Sequence, residues 1–170
     1  MLKNMQSISR TTYVLDSSAF FASFYEEGAL LITIDAVVDE VKDAVSAMHL
    51  SILQEKGMRV EPVDASQIKS VLDAARKTQD IDKLSGTDIQ VLAKAKEHGA
   101  TIVTDDYAIQ NVAMVLGIKV RPLMQKKIRS VYVGIRKCAG CGHRSESDLI
   151  CPVCGSATKR MKSTHRPVKR

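Results

Sequence analysis

Acidic residues directly follow two apolar segments of this sequence, at positions where carboxylates could bind a metal ion. Asp16 follows the apolar run 12–15, and Asp105 and Asp106 directly follow the run 101–104. We predict that both runs are strands of a parallel sheet, because the carboxyl ends of such strands share one edge and form the usual ligand site. Asp16 and one of the two later aspartates would then meet at that edge. Capping of the helix after each strand is the alternative role.

Two further acids lie inside predicted helices. Glu40 lies at the edge of a valine stripe within 37–45, and Asp88 falls about 40° from Leu92 on a helical wheel, beside the apolar face. A bound cation would remove the cost of burying such a carboxylate, whereas a solvated acid is the alternative for each residue alone. Several carboxylates at one edge need a hard divalent cation, and oxygen ligands suit Mg²⁺ or Mn²⁺. Such a site binds phosphate oxygens and activates water for phosphodiester hydrolysis.

Other catalytic arrangements are not indicated in the first 118 residues. We find no Gly-rich phosphate loop there, and no Ser-His-Asp or Cys-His arrangement is suggested. Thr104 and Ser17 stand next to the predicted acids and are candidates for orienting a metal-bound water. Turn and capping roles are the alternative for both hydroxyl groups.

All four cysteines lie in one short segment, as two Cys-x2-Cys pairs that are each followed by glycine: Cys138, Cys141, Cys151 and Cys154. Two residues between thiolates allow a tight turn to aim both sulfurs at one ion, and four thiolates complete a tetrahedral zinc shell. We predict a structural Zn²⁺ site, which a segment with so little apolar content needs in order to fold. Iron in the same shell and a disulfide framework are the alternatives.

Charge is divided unevenly along the chain. Residues 1–118 contain 11 Lys and Arg against 17 Asp and Glu, whereas residues 119–170 contain 14 against two. This division suggests that the basic end binds a polyanion on which the acidic body acts; a solvated, disordered tail is the alternative. With no Trp and three Phe, we expect contacts to phosphates rather than an extended stacking platform. The candidate RNA-binding residues are Arg136, Lys137, Arg144, Lys159 and Arg160.

The first 118 residues alternate short apolar runs with helical spacing. The pattern predicts strands at 12–15, 58–63, 101–104 and 118–123, and helices at 18–24, 35–49, about 68–75, 89–98 and 107–116. Ser85 and Asp88 match a capping box before the fourth helix. The alternation predicts an α/β fold with a parallel sheet covered on both faces. A further strand at 131–135 should lead into the cysteines.

Four segments resemble the acidic motifs of PIN-domain nucleases: Tyr13-Val-Leu-Asp16-Ser-Ser, the helix with Glu40, Ser85-Gly-Thr-Asp88-Ile, and Ile102-Val-Thr-Asp-Asp106. The continuation Asp106-Tyr-Ala-Ile-Gln-Asn-Val-Ala, followed by the four cysteines, is similar to one branch, the NOB-type endonucleases of archaea and eukaryotes. The resemblance implies a Rossmann-like PIN domain with a parallel central sheet and a small β zinc ribbon. It also implies a Mg²⁺- or Mn²⁺-dependent endoribonuclease that cleaves precursor small-subunit (16S) rRNA near its 3′ end during ribosome maturation.

The resemblance also implies which residues act. Matched motif by motif, the catalytic and metal-binding acids are Asp16, Glu40, Asp88 and Asp106. The Thr-x-Asp pattern of the last motif favours Asp106 over Asp105, but both positions are acidic and the choice stays open. The implied partners are precursor rRNA and the pre-ribosomal small subunit.

These observations divide the chain into a nuclease domain at 11–125, a linker at 126–133, a zinc ribbon at 134–160 and a basic disordered tail at 161–170. We expect a cytoplasmic protein, since no apolar run approaches the ~20 residues of a membrane span and the first residues lack a secretory pattern. A toxin-type PIN ribonuclease and a non-catalytic RNA-binding assembly factor are the alternatives. A ribbon is unusual in the first, and the second leaves the set of acids unexplained.

Overall fold

A computed structural model describes residues 10–129, 131–145, 148–160 and 166–167. The strands of the main sheet are β1 (Thr12–Leu15), β2 (Leu30–Thr33), β3 (Arg59–Val60), β4 (Thr101–Val103) and β5 (Val120–Arg121). The helices between them are α1 (Ser17–Phe21), α2 (Asp35–Glu40), α3 (Ala44–Glu55), α4 (Ala65–Thr78), α5 (Gly86–His98) and α6 (Tyr107–Val115). All five strands are parallel, in the order β3-β2-β1-β4-β5. The predicted α/β fold with a parallel central sheet is confirmed.

The centre of the sheet explains why the strand segments are continuous apolar runs. Val14 and Leu15 of β1 and Ile102 and Val103 of β4 are completely buried, because helices cover both faces of a parallel sheet. The chain passes from β1 outward to β2 and β3, and then returns to β4 and β5 on the other side. The strand order therefore reverses between β1 and β4, which is the position where open α/β sheets bind ligands.

The single helix predicted at 35–49 is wrong. The chain forms α2 and α3 instead, with Val41 in an extended conformation between them (φ −80°, ψ 94°) and Asp43 capping α3 by accepting the Ser46 N–H at 2.9 Å. The break changes the helical phase, so Val45 and Met48, expected in the buried stripe, are 73% and 66% exposed. A favourable local cap at Asp43 thus prevails over an apolar spacing that continues across it.

Sequence periodicity also missed β2. Its residues Leu30–Thr33 form a short apolar run with no alternation, which cannot be distinguished from a buried helix by spacing alone. The outer strands β3 and β5 contain only two residues each and are shorter than predicted. The capping box of α5 is confirmed, with both reciprocal hydrogen bonds between Ser85 and Asp88.

The cysteine segment forms a separate antiparallel sheet. Its strands are β7 (Arg136–Cys138), β8 (Arg144–Ser145) and β9 (Thr158–Arg160), with β7 in the middle. Another pair joins β6 (Tyr132–Val133) to β10 (Arg166–Pro167). Apart from β10, the tail predicted at 161–170 lies outside the described residues. Within the described ranges, no helix is both long and apolar enough to cross a membrane.

Candidate functional site

Asp16 lies at the reversal point of the sheet and is held from several sides. Its backbone N–H donates to the Val103 carbonyl at 3.2 Å, which ties the end of β1 to β4. Its side chain, only 5% exposed, accepts hydroxyl hydrogen bonds from Thr104 at 2.7 Å and Ser18 at 3.2 Å, with a longer one from Ser17 at 3.5 Å. The carboxylate is therefore fixed in one orientation before any ligand binds.

Thr104 and Ser18 connect Asp16 to the next acidic pair. The Thr104 hydroxyl accepts the Asp106 N–H at 3.0 Å, and the Ser18 hydroxyl accepts the Asp105 N–H at 3.2 Å. Each hydroxyl accepts from one aspartate backbone and donates its own proton to the Asp16 carboxylate. Thr104 is completely buried, and its hydroxyl is engaged by Asp16 and Asp106 within the protein. Ser18 was missed, because a serine two residues after an aspartate carries no recognisable signal.

Asp105 and Asp106 have different surroundings. The Asp105 carboxylate accepts backbone N–H bonds from Leu123, Met124 and Gln125 at 2.8 to 3.1 Å. Desolvation opposes these bonds, but together they lower the pKa of Asp105 below its usual value. Asp106 caps α6 instead, and both cap bonds, from Ala108 at 2.6 Å and Ile109 at 3.0 Å, fall on Oδ1. The second oxygen of Asp106 is not used by the cap.

Four carboxylates affect one another electrostatically. Burial raises the pKa of Asp16, hydrogen bonds from Thr104 and Ser17 oppose the rise, and the charge of Asp88 adds to it. Burial likewise raises the pKa of Asp88, against its bonds with Ser85, and the charges of Asp106 and Glu40 add to the rise. The structure therefore brings together the four acids that the sequence singled out. Glu40, the last residue of α2, is exposed at the edge of this group.

Asp88 has two roles in this arrangement. Its Oδ2 accepts the Ser85 N–H at 2.7 Å, and its own N–H donates to the Ser85 hydroxyl at 3.1 Å. The capping role and the predicted site role are thus compatible, because the start of α5 points toward the carboxyl edge of the sheet where the other acids lie. The same combination holds for Asp106 at the start of α6.

Among the described residues, the acid group forms no ion pair with a basic side chain. In the part of the chain that the structure describes, the ion pairs involve none of Asp16, Glu40, Asp88, Asp105 or Asp106. Burial raises the pKa of Asp16 and of Asp88, and a bound divalent cation would stabilise their charged forms. Across the same ranges, the cysteines are the one group with at least three ligand atoms within 4.8 Å of one another. The acids are more widely spaced, which suits an ion that keeps several of its waters, as Mg²⁺ does.

The four cysteines converge on one point. The Sγ atoms of Cys138 and Cys154 are 3.4 Å apart and those of Cys141 and Cys151 are 3.6 Å apart, and all four lie within 4.8 Å of one another. Gly142 and Gly155 follow the two pairs with φ of 75° and 71°, as the tight turns require. This donor set could hold a metal ion of the thiolate-binding class, such as zinc.

Electrostatics in the cysteine cluster also favours a cation. The Ser156 hydroxyl and backbone N–H lower the pKa of Cys154 to about 6. At Cys141, a bond from the His143 backbone favours the thiolate, but desolvation and the neighbouring sulfurs outweigh it and raise the pKa to about 12. One sulfur ionises readily, and the neighbouring sulfurs then resist further ionisation. A bound divalent cation removes that resistance.

Three of the predicted RNA-binding cations form one row across the ribbon sheet. Lys137 in β7 lies opposite Arg144 in β8 and opposite Lys159 in β9, so the three side chains share a face, and all three are exposed. We call these three residues the basic row. Arg136, the neighbouring residue in β7, is half-buried on the opposite face of the sheet. It donates to the Thr158 hydroxyl at 2.8 Å and to the Thr158 carbonyl at 2.9 Å. The Arg160 side chain lies outside the described residues.

Comparisons with known proteins agree with this geometry. A family model described as the PIN domain of ribonuclease matches residues 13–97. The chain is 46% identical to Endoribonuclease Nob1 of Archaeoglobus fulgidus over 85% of this chain and 87% of that protein. It is 41% identical to Endoribonuclease Nob1 of Pyrococcus abyssi over 90% and 95% of the two chains. It is also similar to Ribonuclease VapC1 of Thermoplasma acidophilum, with 36% identity over 87% and 77%.

Proposed function

This chain belongs to the PIN-domain ribonucleases of the Nob1 type, and on that premise we propose that it is a metal-dependent endoribonuclease that cuts precursor small-subunit rRNA near its 3′ end. The observation that carries the proposal is the group of Asp16, Glu40, Asp88 and Asp106, whose charges interact at the carboxyl edge of the sheet. None of the ion pairs between described residues includes these acids. A protein that only bound RNA would gain nothing from collecting negative charge at this point, because phosphates are repelled by it.

Asp16, Asp88 and Asp106, with Glu40 nearby, are the residues that would hold one or two Mg²⁺ or Mn²⁺ ions. Such an ion supplies an activated water and neutralises charge on the phosphate oxygens. The protein contributes fixed ligands: Thr104 and Ser18 hold the Asp16 carboxylate, and the caps of α5 and α6 hold Asp88 and Asp106. Asp105 supports this arrangement indirectly, because its carboxylate accepts N–H groups of the 123–125 backbone and holds that segment beside the acids.

Hydrolysis proceeds by in-line displacement at phosphorus. The water oxygen forms the new bond to phosphorus while the bond to the 3′-oxygen breaks, and that oxygen takes up a proton. The products are a 3′-hydroxyl and a 5′-phosphate. The protein aids the reaction by presenting pre-oriented carboxylates, which need no rearrangement when the substrate arrives.

The ribbon binds the RNA in this proposal, and the four cysteines hold a structural Zn²⁺. Like charges placed directly opposite each other weaken a sheet. RNA phosphates that lie against the basic row would reduce the repulsion between its three cations. Residues 1–118 contain more acids than bases, so this part of the chain attracts phosphate mainly through its metal site. We therefore assign catalysis to the body and most of the affinity to the ribbon, with the pre-ribosomal small subunit as the proposed partner and the cytoplasm as the proposed compartment.

The test is cleavage of an RNA that spans the 3′ boundary of the small-subunit rRNA. We expect cleavage at one position with Mn²⁺ or Mg²⁺ and none with EDTA, and mass spectrometry of the products should give a 5′-phosphate on the downstream fragment. Cleavage that continues in EDTA would contradict the metal-dependent mechanism. No cleavage of any RNA under any metal would favour an assembly factor that only binds.

A toxin-type ribonuclease is the second candidate, because the chain is also 36% identical to Ribonuclease VapC1 of Thermoplasma acidophilum. The two proposals differ in substrate choice and not in chemistry. An equimolar mixture of the precursor and unrelated structured RNAs separates them. Preferential cutting of the precursor supports rRNA maturation, whereas equal or preferred cutting of the other RNAs supports the second candidate.

A further inference from the structure

The segment 123–128, which we call the strap, leaves β5 and lies along α6. Three side chains near the start of α6 hold it in place. Asp105 accepts the backbone N–H groups of 123–125, the Tyr107 hydroxyl donates to Gln125 Oε1 at 2.9 Å, and Gln110 Oε1 accepts the Ile128 N–H at 3.2 Å. The strap is therefore fixed to the same loop and helix that present Asp106.

Between the strap, α6 and β5 lies an open pocket of about 210 Å³. Its walls include the apolar side chains of Met114, Ile118 and Ile128, all partly buried. An apolar cavity of about 150 Å³ is large enough for a benzene molecule, so this pocket has room for one planar nucleobase. Ligand sites of this kind combine apolar walls with a few placed polar groups.

Gln110 supplies a buried polar group in this pocket that has no hydrogen-bond partner among the described residues. The residue lines the pocket and is only 1% exposed. Its Oε1 is engaged by the Ile128 N–H, which identifies the other head-group atom as the nitrogen, and Nε2 makes no hydrogen bond within the described residues. A buried donor without an acceptor is unfavourable and is uncommon in folded proteins. An acceptor from a ligand would satisfy it.

Two cations complete the pocket. Lys119 and Lys127 line it and are exposed, and neither belongs to an ion pair in the ranges that the structure describes. The pocket thus combines an apolar slot, a buried donor and two ammonium groups. These are the features that a base with acceptor atoms and an adjacent phosphate would recognise.

One end of the pocket, at Gln110, is close to the acid group. The Gln110 N–H donates to the Asp106 carbonyl at 3.0 Å, so the two residues are one helical turn apart, about 5.4 Å along the axis. Met114 and Gly117 lie eight and eleven residues after Asp106, so the pocket extends along α6 away from the acid group, toward the start of β5. A base in the pocket would therefore belong to a nucleotide some distance along the strand from the scissile phosphate.

We propose that this pocket binds one unstacked nucleotide of the RNA substrate, with an acceptor atom of the base on Gln110 Nε2 and the phosphate near Lys119 and Lys127. The proposal rests on the proposed nuclease function only for the identity of the substrate. It adds a specificity-determining site that positions the strand relative to Asp106.

The experiment titrates the full-length, zinc-loaded protein with each of the four ribonucleoside 5′-monophosphates, without Mg²⁺ or Mn²⁺. NMR follows the Gln110 side-chain amide and the methyl group of Met114, which report on the pocket directly. We expect saturable shifts of both signals with at least one nucleotide. Inorganic phosphate and ribose 5-phosphate should shift only backbone signals near Lys119 and Lys127.

Variants test the donor and the rim. Gln110→Glu keeps the acceptor for the Ile128 N–H but removes the donor, and Gln110→Met removes both; each should weaken nucleotide binding by about three- to tenfold. Lys127→Ala should weaken it as well, whereas Lys126→Ala, the same change at a neighbouring exposed lysine that does not line the pocket, should leave it unaltered.

The outcomes separate this proposal from the nuclease function, because the titration needs no cleavage. Shifts confined to the ribbon, or equal shifts with inorganic phosphate, would overturn the nucleotide pocket even if the protein cuts RNA. Saturable shifts at Gln110 in a protein that cuts no RNA would support the pocket and count against the nuclease. A Gln110→Glu protein that binds every nucleotide as tightly as the parent would also overturn the pocket.

Discussion

The nuclease body and the ribbon both collect ionisable side chains, but they stabilise them in opposite ways. In the body, a parallel sheet with completely buried central strands forces Asp16 and its neighbours together, so their mutual repulsion is a cost that the core offsets. In the described part of 134–160, the buried residues are Cys138, Cys151 and Thr158, while Leu149, Ile150 and Val153 are exposed. There the ligands themselves make up most of the core.

This contrast leads us to expect that a bound metal ion would have different structural effects in the two regions. Removing a cation from the body should leave the fold intact. Because the acids then repel one another, neutralising one of them should stabilise the body. Removing the cation from the ribbon should take away the main interaction that holds β7, β8 and β9 together. The same chemical operation should therefore have opposite structural consequences in the two regions, and the cysteine and aspartate variants test the two sides of that difference.

The largest expected effect is loss of the ribbon when its metal is lost. Cys138→Ser removes a buried ligand, and structural zinc sites contribute roughly 10–16 kcal/mol of apparent binding free energy to folding. We expect the amide signals of 134–160 to collapse to unfolded positions in NMR spectra, while those of 12–121 stay dispersed. Elemental analysis of the parent protein should give about one zinc per chain. Leu149→Ser is the control, because it places the same residue type at a ribbon position that is 67% exposed and supplies no thiolate. It should leave both the zinc content and the ribbon signals unchanged.

The second effect is loss of cleavage when a central acid loses its charge. Asp16→Asn, Asp88→Asn and Asp106→Asn should each lower the cleavage rate by at least about 100-fold, because each removes a fixed charge from the proposed metal site. RNA affinity should stay nearly unchanged, since the ribbon supplies most of it. The measurement pairs a single-turnover cleavage assay with a binding assay on the same RNA.

Asp105→Asn is the matched control for Asp106→Asn. Its carboxylate accepts three backbone N–H groups of the strap, so its loss should reduce cleavage less than the Asp106 change and should loosen 123–125. If Asp105→Asn alone is inactive, the assignment of the motif to Asp106 is wrong by one residue. If none of the variants is slower than the parent, the acids are structural.

The third effect concerns RNA affinity. Lys137→Ala combined with Lys159→Ala removes two charges from the basic row, and the slope of log affinity against log salt should fall by about 0.7 for each lysine on single-stranded RNA. Lys69→Ala with Lys77→Ala removes the same charge from exposed positions on α4 and is the control. Equal slopes for the two double variants would mean that the RNA contact lies outside the ribbon.

The contrast between the regions also explains what the sequence could predict. The parallel sheet, the capping box of α5 and the family could be predicted and are confirmed, because uninterrupted apolar runs and close motifs are local signals. The cysteine cluster could be predicted because its ligands are close in sequence. The break between α2 and α3 could not, since it depends on Asp43 capping a new helix in the middle of an apolar pattern.

Contacts between distant segments carried no readable signal. Ser18 and Thr104 meet at Asp16 from positions more than 80 residues apart in sequence. Asp105 reaches the backbone of 123–125, which the sequence predicts only as the end of the last strand and of the nuclease domain. The row of Lys137, Arg144 and Lys159 depends on strand register, which composition does not reveal. The assignment of catalytic, RNA-binding and domain roles to these residues stays a prediction.

The smallest expected effect is a gain in stability of the body when Asp16 is neutralised without divalent metal. Burial raises the folded-state pKa of Asp16 above its unfolded value, with Asp88 adding to the rise. Protonated Asp16 therefore favours folding, and this contribution is present below the unfolded pKa and is lost as the pH rises through the folded pKa. Asn at this position keeps an oxygen that can accept the Thr104 and Ser18 hydroxyl bonds and stays neutral at every pH. In EDTA-free buffer with zinc and no Mg²⁺ or Mn²⁺, Asp16→Asn should raise the Tm of the body by a few degrees at pH 7.

Asp43→Asn is the control with the opposite sign. Hydrogen bonds from Ser46 lower the pKa of Asp43, so its charged form favours folding above the unfolded pKa and that contribution is lost as the pH falls through the folded pKa. This variant should therefore lower the Tm at pH 7 slightly, and the difference from the parent should shrink in acid.

For Asp16→Asn the gain should also shrink in acid, because the parent carboxyl becomes neutral there, and it should shrink at pH 7 when Mn²⁺ is added to the parent. Thermal melts at several pH values, with and without Mn²⁺, measure both variants. A Tm for Asp16→Asn below that of the parent at pH 7 without metal would mean that the buried carboxylate stabilises the body, and the contrast between the acid group and the cysteine cluster would no longer hold.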